Sequence, residues 1–300
     1  MEPADHETRF EAEGPRLTVS AEPRLRSGTP EVLATGLDHP EAVCWSPEER
    51  MILAGGEAGQ LYSVALDGAV YERSLSEGSD FLGIALDGHG NAFVCDCKGG
   101  TVVRTTPGGS PVPFGPRMVY PNYPAFDAEG VLWVSDSGHW GSGNGLLRGL
   151  LPDGTEAEVD CGRFEFSNGV AIAGRTAYLV TSYDPAVWTI DLDTGAAEIL
   201  VRLPRTVPDG VALDAEGGVW ISCFQPNRIY RLDRDGTLEL ILDDWSGEEF
   251  LSPTNICFAG DDLKTVVMAS LCGRTLSRFE SWVAGRPLEY PVNPDAGTGA

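Results

Sequence analysis

The stretch GVALDAEGGVWISC (210–223) decides the fold, because its pattern of apolar strand, tight turn and second apolar strand recurs along the chain. The other copies are AVCWSPEERMILAG (42–55), GIALDGHGNAFVCD (83–96), YPAFDAEGVLWVSD (123–136), GVAIAGRTAYLVTS (169–182) and NICFAGDDLKTVVMAS (255–270). Anchored on the apolar residue before each turn (Trp45, Leu86, Phe126, Ile172, Leu213, Phe258), the copies are spaced 41, 40, 46, 41 and 45 residues apart. A period in the low forties built of short strands predicts propeller blades of four strands each.

Outward from these copies, a third strand is expected in QLYSVALDG (60–68), TVVRTTPGG (101–109), GLLRGLLPDG (145–154), AVWTIDLDTG (186–195), RIYRLDRDG (228–236) and TLSRFES (275–281). Most end in the D-G, T-G or G-G pairs that close hairpins. A fourth strand is clearest in LELILDD (238–244). The sixth copy has none directly after it. EVLATGL (31–37), just upstream of the first copy, is expected to complete that blade and close the ring, with RPLEY (286–290) the competing candidate. The chain thus reads as all-β: one six-bladed β-propeller of four-stranded antiparallel blades over 31–290, closed by an N-terminal strand. Residues 1–30 read as a polar extension and 291–300 as a flexible tail.

Composition narrows the function. Forty-five acidic residues against 21 basic ones give a net charge of −24, which repels nucleic acid and anionic membranes. A small-molecule substrate is the expected partner. The N-terminus has no basic and apolar leader pattern, and no run approaches a membrane span. The seven cysteines fall mostly in apolar strands, as expected of buried thiols in a reducing cytoplasm. Cys95 and Cys97 share a strand face, but no second pair accompanies them at metal-binding spacing.

The first strand of each blade lines the channel, so equivalent positions converge on the axis. Four residues before the anchors stand Glu41, Leu82, Asn122, Asn168, Asp209 and Thr254. Five of the six carry oxygen and none is basic, a donor set suited to a hard divalent cation. Asn168-Gly169 and Asp209-Gly210 also read as plain turn formers. Their register with Glu41 and Asn122 favours a metal site.

The segments HPEAVCW (39–45), PNYPAFDAEGVLWVSD (121–136), SNGVAIAG (167–174) and VPDGVALDAEGGVWIS (207–222) make the chain resemble the SMP-30/gluconolactonase/luciferin-regenerating (regucalcin-like) family over roughly residues 30–280. The resemblance implies a six-bladed propeller holding one divalent cation in its channel: Ca²⁺ foremost, with Mg²⁺, Mn²⁺ or Zn²⁺ as alternatives. It also implies hydrolysis of lactones or related esters. By position, the family's metal-binding residues fall on Glu41, Asn168 and Asp209, and its channel Asn on Asn122. Two positions depart from the family. Tyr123 follows Asn122 where Asp is frequent, and Tyr120 stands where sugar-lactone enzymes carry a basic residue. A flatter, more apolar or aromatic substrate is therefore expected.

The expected chemistry is metal-assisted lactone hydrolysis. Asp209 serves as ligand and proton acceptor, Asn122 orients the substrate, and Tyr120, Tyr123, Thr254 and His139 are candidate substrate contacts. His139 lies in DSGHWGSGNG (135–144), a loop placed to cover the pocket. Two other classes fit the same scaffold: a metal-dependent lyase or cyclase of specialised metabolism, and a non-catalytic binding propeller.

Overall fold

The computed structural model describes residues 18–19, 23–25 and 30–292, so most of the expected extension (1–30) and tail (291–300) lies outside the described residues. The described residues form six sheets, one per sequence repeat, antiparallel apart from one added N-terminal strand. Their inner strands are Val43–Ser46, Phe81–Leu86, Pro121–Phe126, Ser167–Ala173, Val207–Leu213 and Pro253–Ala259. Each packs beside the next, and the sixth packs beside the first. The ring is closed.

Closure follows the expectation from EVLATGL. Strand Glu31–Thr35 pairs antiparallel with Thr275–Glu280 and becomes the outer strand of blade 6. An ion pair of 2.7 Å between Arg278 and Glu31 fastens that join. RPLEY instead runs across one end of the channel as a strap. The Gly285 and Arg286 N–H groups donate to the Leu263 and Leu213 carbonyls at 2.7 and 2.8 Å, and the Tyr290 hydroxyl donates to the Trp45 carbonyl at 2.7 Å. Beyond it, the Gly88 N–H donates to the Pro291 carbonyl at 2.9 Å.

Part of the expected N-terminal extension belongs to the body. Thr18–Val19 pairs in parallel with the outer strand of blade 5, Thr237–Asp243, and Arg24 stacks 3.5 Å over the Trp282 ring. Blade 3 departs from the four-stranded expectation and carries three strands. After its third strand, Leu146–Leu150, the chain turns at Asp153 and touches back only through single bridges, Leu150 to Glu156 and Gly145 to Phe164. A bidentate bond from Arg148 to Glu156 at 2.7 and 2.8 Å holds this stretch where a ladder would run.

The core is divided into six slabs, each between two neighbouring blades. Alternating side chains of one strand point to opposite faces, so every blade feeds two slabs. In blade 1, Val43, Trp45 and Ile52 pack toward blade 6, while Cys44, Leu53 and Leu61 pack toward blade 2. Strands buried on both faces explain why the repeats read as near-continuous apolar runs.

The Asp that follows the anchor ties blades internally. Asp127 and Asp214 accept from the indole N–H groups of Trp133 and Trp220 at 2.8 and 2.9 Å. Asp214 also meets the buried Arg231 at 2.7 Å. Among the described residues, no helix is long and apolar enough to cross a membrane.

Candidate functional site

The two ends of the channel differ in chemistry. The second halves of the inner strands and the strap enclose a cavity of about 490 Å³ lined by apolar side chains such as Ile84, Phe126, Val170 and Ile256. Tyr123 lines this lower cavity. At the other end, the mouth, stand Glu41 just ahead of its strand and Asn122, Asn168, Asp209 and Thr254 in the first halves of theirs, all of them buried.

A β-bulge lies at this level in every blade but the first, where Glu41 stands ahead of its strand. Pairing between first and second strands slips between Phe81 and Ile84, Pro121 and Tyr123, Ser167 and Val170, Pro208 and Val211, and Pro253 and Ile256. Extra residues at a bulge re-aim side chains, here in register around the ring. The Asn-Gly and Asp-Gly pairs therefore lie inside strands and are not turns. Their glycines are required by close approach between blades. A Cβ on Gly169 would lie 2.6 Å from the Asp209 carbonyl oxygen, and one on Gly210 would lie 2.7 Å from that of Thr254.

Glu41 comes before its strand on a segment where His39 takes a left-handed φ of 46°. The Thr254 hydroxyl donates to the Glu41 carbonyl at 2.6 Å and is spent on placing it. Asn168 donates to the Ser182 hydroxyl at 3.0 Å, and Ser182 in turn donates to the Pro208 carbonyl at 2.7 Å. Ser222 accepts from the Gly210 N–H at 3.1 Å and donates to the Thr254 carbonyl at 2.9 Å. These serines stitch each inner strand to the next. Sequence reading passed over them, although small polar residues end the second strand of most repeats.

Burial pushes the Glu41 carboxyl well above the usual carboxylate range, and the facing Asp209 and Asp80 carboxyls push it further. Asp209 is raised by burial to about 8, against the lowering effect of a hydrogen bond from Asn168. Two carboxyls pressed together in a dry site hold protons tightly unless a cation takes their place. The carbonyl oxygens of Asn122 and Asn255 and one oxygen of Asp80 are buried without a hydrogen-bond partner. Such atoms call for a ligand. A hard divalent cation fits this set of carboxylate and amide oxygens.

Asp80 and Asn255 were not among the residues expected from register. Leu82 occupies the ring position of blade 2, and Asp80 two residues earlier supplies the oxygen instead. Tyr120, Cys97 and Asp80 form a line of polar contacts beside the ring; burial raises Cys97 to about 12, Asp80 adds to the rise, and the hydrogen bond with Tyr120 opposes it. His139 sits on an exposed loop at the mouth, its main-chain N–H donating to Asn144 at 2.8 Å.

Fold and channel together define a six-bladed propeller with an acidic, amide-lined ring at one end of its axis. Residues 115–271 match the SMP-30/Gluconolactonase/LRE-like region, and the chain belongs to that family. Regucalcin of Xenopus laevis is 27% identical over 149 residues, covering 45% of this chain and 46% of that protein. Human regucalcin is 28% identical over 130 residues, covering 39% and 40%. The matched segment thus spans under half the length of these relatives. Among solved structures, a gluconolactonase from Xanthomonas campestris superposes with TM-score 0.72 at 18% identity, covering 89% of this chain and 97% of that one. A calcium-binding regucalcin from Agrobacterium tumefaciens gives TM-score 0.72 at 16% identity, covering 87% and 97%.

Proposed function

We propose that the protein is a divalent-metal-dependent hydrolase that opens a lactone at the polar mouth of its channel, in the cytoplasm. The observation that carries the reading is the buried Glu41–Asp209 pair beside the unpartnered Asn122 oxygen. In this reading Glu41, Asn168 and Asp209 hold the cation, with Ca²⁺ first among the candidates. A bound divalent ion supplies Lewis-acid polarisation of an ester carbonyl.

The chain's own groups divide the remaining work. Asn168 uses its amide hydrogens on Ser182 and Asp209, which leaves its carbonyl oxygen for coordination. Asp209 has two oxygens, one for the ion and one to take a proton from the attacking water. The water oxygen bonds to the carbonyl carbon, the ring C–O bond breaks, and the proton passes to the departing alkoxide to give a hydroxy acid. Asn122 orients the lactone through its free amide oxygen and its N–H groups. Thr254 acts at one remove, by fixing Glu41.

The test pairs metal analysis with product analysis. Wild-type protein incubated with calcium should retain near-stoichiometric ion, and Glu41→Gln and Asp209→Asn should lose it. Products should gain the mass of one water over the lactone. An isomeric product of unchanged mass identifies a lyase or cyclase, and full turnover by Asp209→Ala removes the mechanism.

A further inference from the structure

Four aromatic rings run outward from the polar mouth in an unbroken line. Tyr120, two residues before Asn122, lies 6.1 Å from Phe166 with the planes tilted 42°. Trp140 meets Phe166 edge-on at 4.9 Å, and Tyr183 meets Trp140 edge-on at 5.3 Å. The inner two rings are half-buried, whereas Trp140 and Tyr183 are 55% and 49% exposed. Large rings so exposed, in contact with one another and contiguous with a buried polar site, mark a place where a ligand docks.

The outer rings are held in place. In the loop carrying Trp140, the Ser142 hydroxyl donates to the His139 carbonyl at 2.6 Å, and the Gly143 N–H donates to Glu165 at 3.1 Å. Gly141 has a φ of 71°, and a Cβ there would lie 3.0 Å from the Tyr183 ring, so glycine lets ring and loop meet. Phe166 is itself left-handed, with φ 61°, just before the inner strand that carries Asn168. A wall fixed before binding loses little freedom when a flat ligand lies on it.

We propose that Trp140 and Tyr183 are the specificity platform of this site, and that its substrate carries an aromatic ring fused or attached to the ester ring. The lactone part of this proposal rests on the reading under Proposed function; the aromatic part rests on the ring line alone. A polyhydroxylated sugar lactone would bring several hydroxyls to a wall offering only two tyrosine hydroxyls and one indole N–H. An aryl lactone instead gains offset or edge-to-face contacts with the exposed rings. Tyrosine and tryptophan are the residues that carry most energy in such contacts.

The test uses full-length wild type, Trp140→Ala, Trp140→Phe and Tyr183→Ala, with 3,4-dihydrocoumarin, δ-valerolactone and the non-hydrolysed probe coumarin. The ratio of kcat/KM for dihydrocoumarin over valerolactone should fall about tenfold in Trp140→Ala and recover in Trp140→Phe. Coumarin affinity, measured by calorimetry with and without calcium, should fall by a similar factor in Trp140→Ala and by less in Tyr183→Ala. A ratio and a coumarin affinity within twofold of wild type in both alanine variants overturn the platform. If coumarin binding depends on Trp140 but neither lactone is hydrolysed, the platform stands and the hydrolase reading falls.

Discussion

Calcium uptake should be a proton exchange, and the size of that exchange follows from the ring carboxyls. Burial lifts Asp209 to about 8. At pH 7 about nine-tenths of that carboxyl is therefore protonated in the ion-free protein. A cation binds the ionised form, so each ion taken up should expel about 0.9 proton from Asp209 alone, and more where Glu41 also keeps its proton. Asp209 alone should raise apparent affinity about tenfold per pH unit between pH 6 and 8, or ~1.4 kcal/mol per unit, and level off above, with Glu41 adding to the rise while it keeps its proton. Stability of the ion-free protein runs the opposite way. A carboxyl raised on folding contributes stability below its unfolded value near 4, and that contribution is lost as pH rises through about 8. Ion-free protein should weaken over that window, and calcium should restore more of the melting temperature at pH 8.5 than at pH 6. Calorimetric titration in two buffers of different ionisation enthalpy counts the protons directly. Proton release below about 0.3 per ion together with a pH-independent affinity would refute the argument, because the carboxyls would then already be ionised.

Other consequences are more local. Asp214→Ala should cost about 3 kcal/mol in urea denaturation, because the buried Arg231 loses its one buried partner and keeps only the more exposed Asp233 at 3.2 Å, Glu216 at 3.4 Å and Glu239 at 4.0 Å. Asp214→Asn, which still offers an acceptor to Trp220, should cost less. Gly210→Ala forces a Cβ within 2.7 Å of the Thr254 carbonyl and the Asn255 backbone. It should lose ~2 kcal/mol and weaken calcium binding together, and an unchanged melt would show that the blades yield there. Tyr290→Ala removes the 2.7 Å bond to Trp45 and opens the floor of the channel. Dye binding to the exposed apolar cavity should rise, with ~2 kcal/mol lost in thermal or urea melts.

The repeat is legible in the sequence because every inner and second strand must be apolar on both faces to feed two core slabs. The closing strand is legible for a related reason: blade 6 needs a partner, and EVLATGL stands at the right place. Other features depend on packing that no local pattern reports. Asn-Gly and Asp-Gly look like turns because glycine permits turns, yet Gly169 and Gly210 serve blade-to-blade contact inside strands. Counting back a fixed four residues from the anchor finds Thr254 but misses Asn255, because the bulge brings in an additional residue. Asp80 was missed because it stands just before its strand, two residues ahead of the ring position held by Leu82. The pairing of Trp140 with Tyr183 joins loops of two blades, 43 residues apart (183 − 140). Blade 3 gives up its fourth strand to a chain that delivers Phe166 to the mouth.

The apolar floor accounts for part of the behaviour expected at the polar end. The strap crosses the base, and the 490 Å³ cavity above it is mostly apolar, so low-polarity surface lies beneath the carboxyls. A low dielectric below them raises the cost of bare charge and strengthens the attraction for a cation of double charge. On the proposed reading, substrate approaches from the polar mouth, past the aromatic line. Under the proposed reaction a neutral lactone enters and a hydroxycarboxylate anion leaves. The net charge of −24 acts on these two unequally: it leaves the neutral ester alone, draws divalent cations inward, and repels the anionic product. On that reading the same acidity serves both ends of the cycle, loading the site with its ion and clearing it of product.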